Sequence, residues 1–248
     1  MIHNRLPLFC PRDLKSGRAK SMPYLVIFLL LLALFFLPQA WVRHIMARYN
    51  HDEEANFPGT GGELARHLLD RFGLNDVKVE STDRGDHYDP QARCVRLTKD
   101  KFSGKTLTAI TVAAHECGHA LQHAGQEPMF ALRTRLAATS VWAGRLGSAL
   151  IVAAPALALV SRAPSAAALS VFGGFLVIGF GVVVQLVTLP VELDASFKKA
   201  LPLLSAGYLE PEQVPAARRI LSAAAWTYVA ASLAGLLNFW RWLVVLRR

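Results

Sequence analysis

From Ser165 to Pro190 the chain runs twenty-six residues without a charge, and from Pro23 to Val42 it runs twenty. At about 1.5 Å per helical residue, twenty residues cross the hydrocarbon core of a bilayer, about 30 Å thick. Composition points the same way: hydrophobic residues make up 53% and charged residues 18%, with a mean hydropathy of +0.31. A soluble domain is nearer a quarter charged. The same count excludes disorder, and three cysteines in 248 residues exclude a disulfide-built scaffold. The chain reads as a membrane protein.

The formal charge of +9 is unevenly placed. Residues 1–22 carry +4, residues 43–140 are neutral overall, and residues 141–248 carry +5. The excess therefore flanks the apolar segments, where it orients a chain in a bilayer. No basic stripe alternates with aromatic residues, so no nucleic-acid partner is expected. A cleaved signal peptide has a similar charged start. Against it, Pro23–Leu37 is long for a signal core, and Gln39-Ala40-Trp41 is a poor cleavage site. The expected organisation is a basic tail over 1–22, a first transmembrane helix over 23–42 and a soluble unit over 43–140. A transmembrane hairpin follows over 142–190, then an outer connection over 191–222 and a last transmembrane helix over 223–246. Four spans are expected, with three as the alternative. The hairpin turn falls at Ser161–Pro164, around Arg162. Positive ends put both termini inside, which places 43–140 and 191–222 together on the outer side. Lys198, Lys199, Arg218 and Arg219 on that side weigh against this orientation.

The soluble unit holds seven of the eight histidines. Gly61–Phe72 repeats Leu64, Leu68 and Leu69 at helical spacing, and Gly73 stops the pattern. Val77–Glu80 and Cys94–Leu97 alternate like strands, with turn-rich Ser81–Pro90 between them. Thr108–Ala124 reads as a helix, with Gly125 as its C′ residue. The fold class is thus mainly α: a polytopic helical membrane protein with a small α/β zincin-like unit.

That last helix contains His115-Glu116-Cys117-Gly118-His119, the HExxH pattern. Two histidines four apart share a helix face and can converge on one ion, and Glu116 beside them can take a proton from water. Zinc in such a site polarises a carbonyl and acidifies water, so the pattern points to peptide hydrolysis. Gly118 and the neighbouring alanines leave room for another element close to the metal. A third ligand is needed, and Gln122 and Gly125 stand where the metzincin pattern wants glycine and histidine. His123 lies about 12 Å along the axis from His115, too far for the same ion. It reads as a residue behind the ligands or at the surface. Glu192 is the best candidate, because two spans leave the site helix and return it to the same side. Asp194 or Ser196 could orient a ligand imidazole. His87 and Asp89 compete as ligands, and Glu192 and Asp194 could simply cap the next helix. Tyr228, Arg218 and Arg219 are candidates to stabilise an oxyanion. Cys117 points away from the histidine face and reads as a buried packing residue.

Three stretches carry a resemblance: Gly62–Glu80 with Asp86–Pro90, Thr108–Ala124, and Gln185–Ser196 with Ala216–Ala231 behind it. Together they resemble the bacterial membrane neutral zinc metallopeptidases of the YugP type, which are HExxH, gluzincin-like proteins. The resemblance implies one zinc per chain held by His115, His119 and Glu192, with Glu116 as catalytic acid and base. It also implies an integral protein of the bacterial plasma membrane. Cys117 and Leu193 depart from the usual valine and aromatic residue, and both changes concern packing. The expected activity is a membrane-embedded zinc endopeptidase acting on protein or peptide substrates, with the lipid bilayer as partner. An extended substrate could add to the sheet edge beside Val95–Leu97. The alternatives are a scaffold or chaperone-like module whose structural zinc has a filled fourth position, for instance by His87, and a transporter using acids inside the spans.

Overall fold

A computed structural model describes residues 16–50 and 57–229, which are mostly helical with one small sheet. Helix α1 (Ser16–Arg48) holds the first apolar run in its interior, so it starts before Pro23 and continues past Val42. Its end is fastened to the site helix. Ile45 and Met46 pack on the core, and the Thr108 hydroxyl donates to the Met46 carbonyl at 2.9 Å.

Helix α2 (Gly61–Arg71) begins with a reciprocal cap: Thr60 accepts from the Glu63 amide, while Glu63 accepts from the Thr60 amide. Leu64, Ala65, Leu68 and Leu69 form its buried stripe, and Gly73 at φ 71° turns the chain away.

The sheet differs from the two strands expected. Strands β1 (Lys78–Thr82), β2 (His87–Asp89) and β3 (Cys94–Thr98) lie in the order β1-β3-β2. β3 is therefore central, parallel to β1 and antiparallel to β2, and it offers no free edge to an extended substrate. The stretch read as all turn supplies β2, which carries the chain to the far side of β3. This permits a parallel pair without a crossover helix. Three residues are too few to show alternation. Asp89 closes the following turn by accepting from the Gln91 and Ala92 amides at 2.9 and 3.0 Å.

After a single turn of helix, α3 (Lys99–Phe102), comes α4 (Leu107–Ala124), capped by Thr106 and buried along almost its whole length. Its stop differs from the expected one: Gly125 keeps φ −73°, and Gln126 takes the left-handed conformation at φ 50°.

Helices α5 (Pro128–Ser161) and α6 (Pro164–Leu193) form the hairpin, turning at Arg162 with φ 53°. α5 runs unbroken through 140, so the expected border between soluble unit and membrane hairpin falls inside one helix. The two helices meet through small residues: a Cβ on Gly174 would lie 2.5 Å from Ile151 Cγ1 and 2.9 Å from the Gly147 carbonyl. α6 continues as a π-helical segment, Asp194–Ala200, and then α7 (Leu201–Ser205). The region expected as an outer connection is thus largely helical. Helix α8 occupies residues 214–229, starting well before 223. By length and composition, two of the described helices could cross a membrane: Pro128–Ser161 and Ala168–Ser205. The rest of the expected fourth span and most of the basic tail lie outside the described residues.

Candidate metal centre

One turn of α4 separates His115 from His119, and their rings stand edge to face with centroids 4.7 Å apart. Both Nε2 atoms face one carboxylate oxygen: Glu192 Oε2 lies 3.2 Å from His115 and 3.4 Å from His119. One ligand atom from each of the three residues lies within 4.8 Å of the others, and all three side chains are buried. Glu192 arrives here because α6 returns toward α4 and because Gly118 has no side chain. A Cβ at Gly118 would sit 2.8 Å from the Ala195 carbonyl oxygen and 3.3 Å from Ala195 Cα. The π-helical segment presses Ala195 and Ser196 onto α4 while Lys198 stays exposed. A π-helical turn at a functional site is a recurrent arrangement.

The far nitrogen of each imidazole is also held. Gln122, fully buried, accepts from His119 Nδ1 at 2.8 Å. Its amide nitrogen donates to the Val191 carbonyl and to Asp194 Oδ2, both at 2.9 Å. Both of those partners can only accept, which identifies the Gln122 oxygen as the atom facing His119. Nδ1 therefore carries a proton at this contact, and Nε2 is the nitrogen that faces Glu192. Ser196 Oγ lies 3.1 Å from His115 Nδ1. Ser196 thus contacts one imidazole directly, and Asp194 reaches the other through Gln122. Lys199 pairs with Asp194 and with Glu127, the latter at 2.6 Å, tying the start of α5 into the same network.

Glu116 is buried beside His115, and burial pushes its carboxyl up to about 7, with the charge of His115 opposing the rise and that of Glu192 adding to it. Cys117 lies on the other side of α4, its thiol against the Ala65 carbonyl at 3.6 Å. Burial holds that thiol well above its usual range. Tyr228 faces the centre from α8, within electrostatic reach of Glu192, Arg133 and Glu116.

Several sequence candidates are not brought to this cluster. His123 Nδ1 bonds the Tyr88 hydroxyl at 2.8 Å and its ring packs near Phe130. His87 bonds the Gly85 carbonyl at 2.8 Å, and Asp89 pairs with Arg96 at 2.6 Å. Arg218 is exposed over the Phe197 ring, and Arg219 is exposed. Two residues were missed. Gln122 had no motif to mark it once the metzincin pattern failed. Arg133 had a signal: it stands as far before the Arg162–Ala163 turn as Glu192 stands after it, so a helical hairpin sets them opposite one another. The Arg133 guanidinium nitrogen lies 2.9 Å from Glu192 Oε1.

A family model described as "putative neutral zinc metallopeptidase" matches residues 24–247. Among curated sequences, the protein named "Putative membrane protease YugP" of Bacillus subtilis (strain 168) is 35% identical over 228 residues. That alignment covers 90% of this chain and 96% of the relative. No solved structure matches the chain.

Proposed function

The chain belongs to the family described as putative neutral zinc metallopeptidases, and from that premise we propose that it is a membrane-embedded, zinc-dependent endopeptidase. The observation that carries the reading is the convergence of two imidazole nitrogens and one carboxylate oxygen with Glu116 beside them. The donor set fits zinc: His, His and Glu are the ligands of one well-known catalytic class, which leaves a fourth position open. When bound by His115, His119 and Glu192, one zinc ion per chain would supply Lewis acidity for the scissile carbonyl and acidify water. Glu116 takes the proton of the attacking water and hands it to the leaving amine. It is buried beside His115, next to where that exchange would take place. Gln122, Ser196 and Asp194 keep the imidazoles in their orientation. Tyr228 is placed to donate to charge developing on the carbonyl oxygen.

In this reading the two long apolar helices lie in a bacterial plasma membrane, joined by the apolar part of α1 and a last helix, with the site at the outer surface. Substrates are proteins or peptides that reach that surface.

The test is zinc content and proteolysis of an unfolded protein substrate in detergent, for wild type, Glu116→Gln and Glu192→Ala. Wild type is expected to hold one zinc and to hydrolyse the substrate. Glu116→Gln should keep the zinc and lose about 10²- to 10⁴-fold in rate. Glu192→Ala should lose both. Full zinc in folded Glu192→Ala would remove Glu192 from the ligand set, and undiminished proteolysis by Glu116→Gln would remove the mechanism.

A further inference from the structure

We propose that Arg133 is a positioning residue of the metal centre: from α5 it holds the outer oxygen of Glu192, so that Oε2 alone faces the two imidazole nitrogens. The inference rests on the metal-site reading above. It goes beyond it by assigning a fourth side chain, from a helix that supplies no ligand.

The geometry is asymmetric in a telling way. Oε2 lies 3.2 and 3.4 Å from the two Nε2 atoms, while Oε1 lies 2.9 Å from the guanidinium. The Glu192 carboxylate is almost fully buried, so neighbouring side chains rather than bulk solvent settle its orientation. Left alone it could turn to offer both oxygens to a cation, and the guanidinium opposes that turn. The far atom of each ligand side chain then has its own neighbour: Ser196 for His115 and Gln122 for His119 through hydrogen bonds, and Arg133 for Glu192 through an ion pair rather than an aligned hydrogen bond. These neighbours come from the π-helical segment, α4 and α5.

Arg133 also stands in the second turn of a helix long and apolar enough to cross a membrane. The orientation of Glu192 is therefore tied to how α5 seats against α6. Hairpin packing at Gly147 and Gly174 and metal geometry become parts of one mechanical unit.

The experiment is a cobalt(II) titration of the full chain in detergent after chelation, read by the visible d–d bands, with fold checked by circular dichroism. The variants are Arg133→Met, Arg133→Lys and, as a control on the same helix, exposed Arg135→Met. Wild type and Arg135→Met are expected to bind one cobalt with the same bands. Arg133→Met should bind about 10- to 100-fold more weakly, with altered bands as Glu192 turns. Arg133→Lys keeps the charge but not the planar fork, and its affinity and bands should fall between the two. Folded Arg133→Met with wild-type bands overturns the proposal, whether it binds equally or more tightly; in the tighter case the arginine merely repels the ion. If Arg133→Met does not fold, a Lys variant identical to wild type overturns it. A wild-type chain that binds no cobalt overturns the metal centre itself, and this role with it.

Discussion

The unit around α2, the sheet and α4 and the hairpin of α5 and α6 place their apolar residues on opposite sides. In the first, Leu68, Leu69, Val95 and Leu97 are at most 1% exposed, and buried Gln122 is hydrogen-bonded through both ends of its amide. In the second, Val152, Leu159 and Val160 are at least 80% exposed, while the seam brings Gly147 and Gly174 against Val177 and Ile151. The first unit is organised by exclusion of water. In the proposed reading the second lies in lipid and gains little from that, since its outward face is as apolar as its seam; such helices are held by close approach and by dispersion. The candidate site lies where the two regimes meet. The watery unit brings His115, Glu116 and His119, and the hairpin brings Glu192 at the end of one helix and Arg133 near the start of the other.

Substitutions can break or sharpen this contrast. The largest effect is expected from Leu68→Ala, which empties a site in a core driven by exclusion of water. It should destabilise that unit by about 2–5 kcal/mol, seen as an earlier thermal transition in detergent. Should its melting be unchanged, α2 does not anchor the core. Gly118→Ala comes next, at about 1–3 kcal/mol, because the new methyl meets the Ala195 backbone rather than a flexible side chain. Zinc content should fall with it, since Glu192 shares that helix; a stable variant with full zinc would show that the two elements can part without cost to the site. Gly174→Val should loosen the hairpin by about 1–2 kcal/mol while leaving the Leu68 core intact. That is measurable as faster proteolytic cutting near the Arg162 turn. Leu159→Ala is the smallest: on the apolar outer face it should shift stability by less than about 0.5 kcal/mol. A large loss there would mean that protein, not lipid, covers this face.

How much of this was legible differs by region. The helix carrying HExxH and the turn at Arg162 follow from local pattern: i to i+4 spacing and a break between uncharged runs. The pairing of His115 with Glu192 was reached through topology, since the two are 77 residues apart and only the return of a hairpin joins them. β2 was not legible, because three residues carry no period and Tyr88 alone is buried among them. Nor was the parallel partnership of β1 and β3, which depends on where the chain between them goes. Gln122 could not be chosen either. A glutamine on a helix is ordinary until Val191 and Asp194 approach it and settle which way its amide faces.

By itself the sequence determined that the HExxH stretch and the long apolar runs are helical, that those runs are apolar enough for a bilayer, and that one helix face carries two imidazoles and an acid. These are properties of neighbours within a turn or two, and spacing alone sets them. Tertiary structure decided which atoms of those residues are usable. It turned Nε2 inward by occupying Nδ1, brought Oε2 to both rings through the bare surface of Gly118, and set a cation against Oε1. Those outcomes depend on separations of a few ångströms between segments far apart in the chain, where hairpin length and close packing, rather than local preference, set the distance.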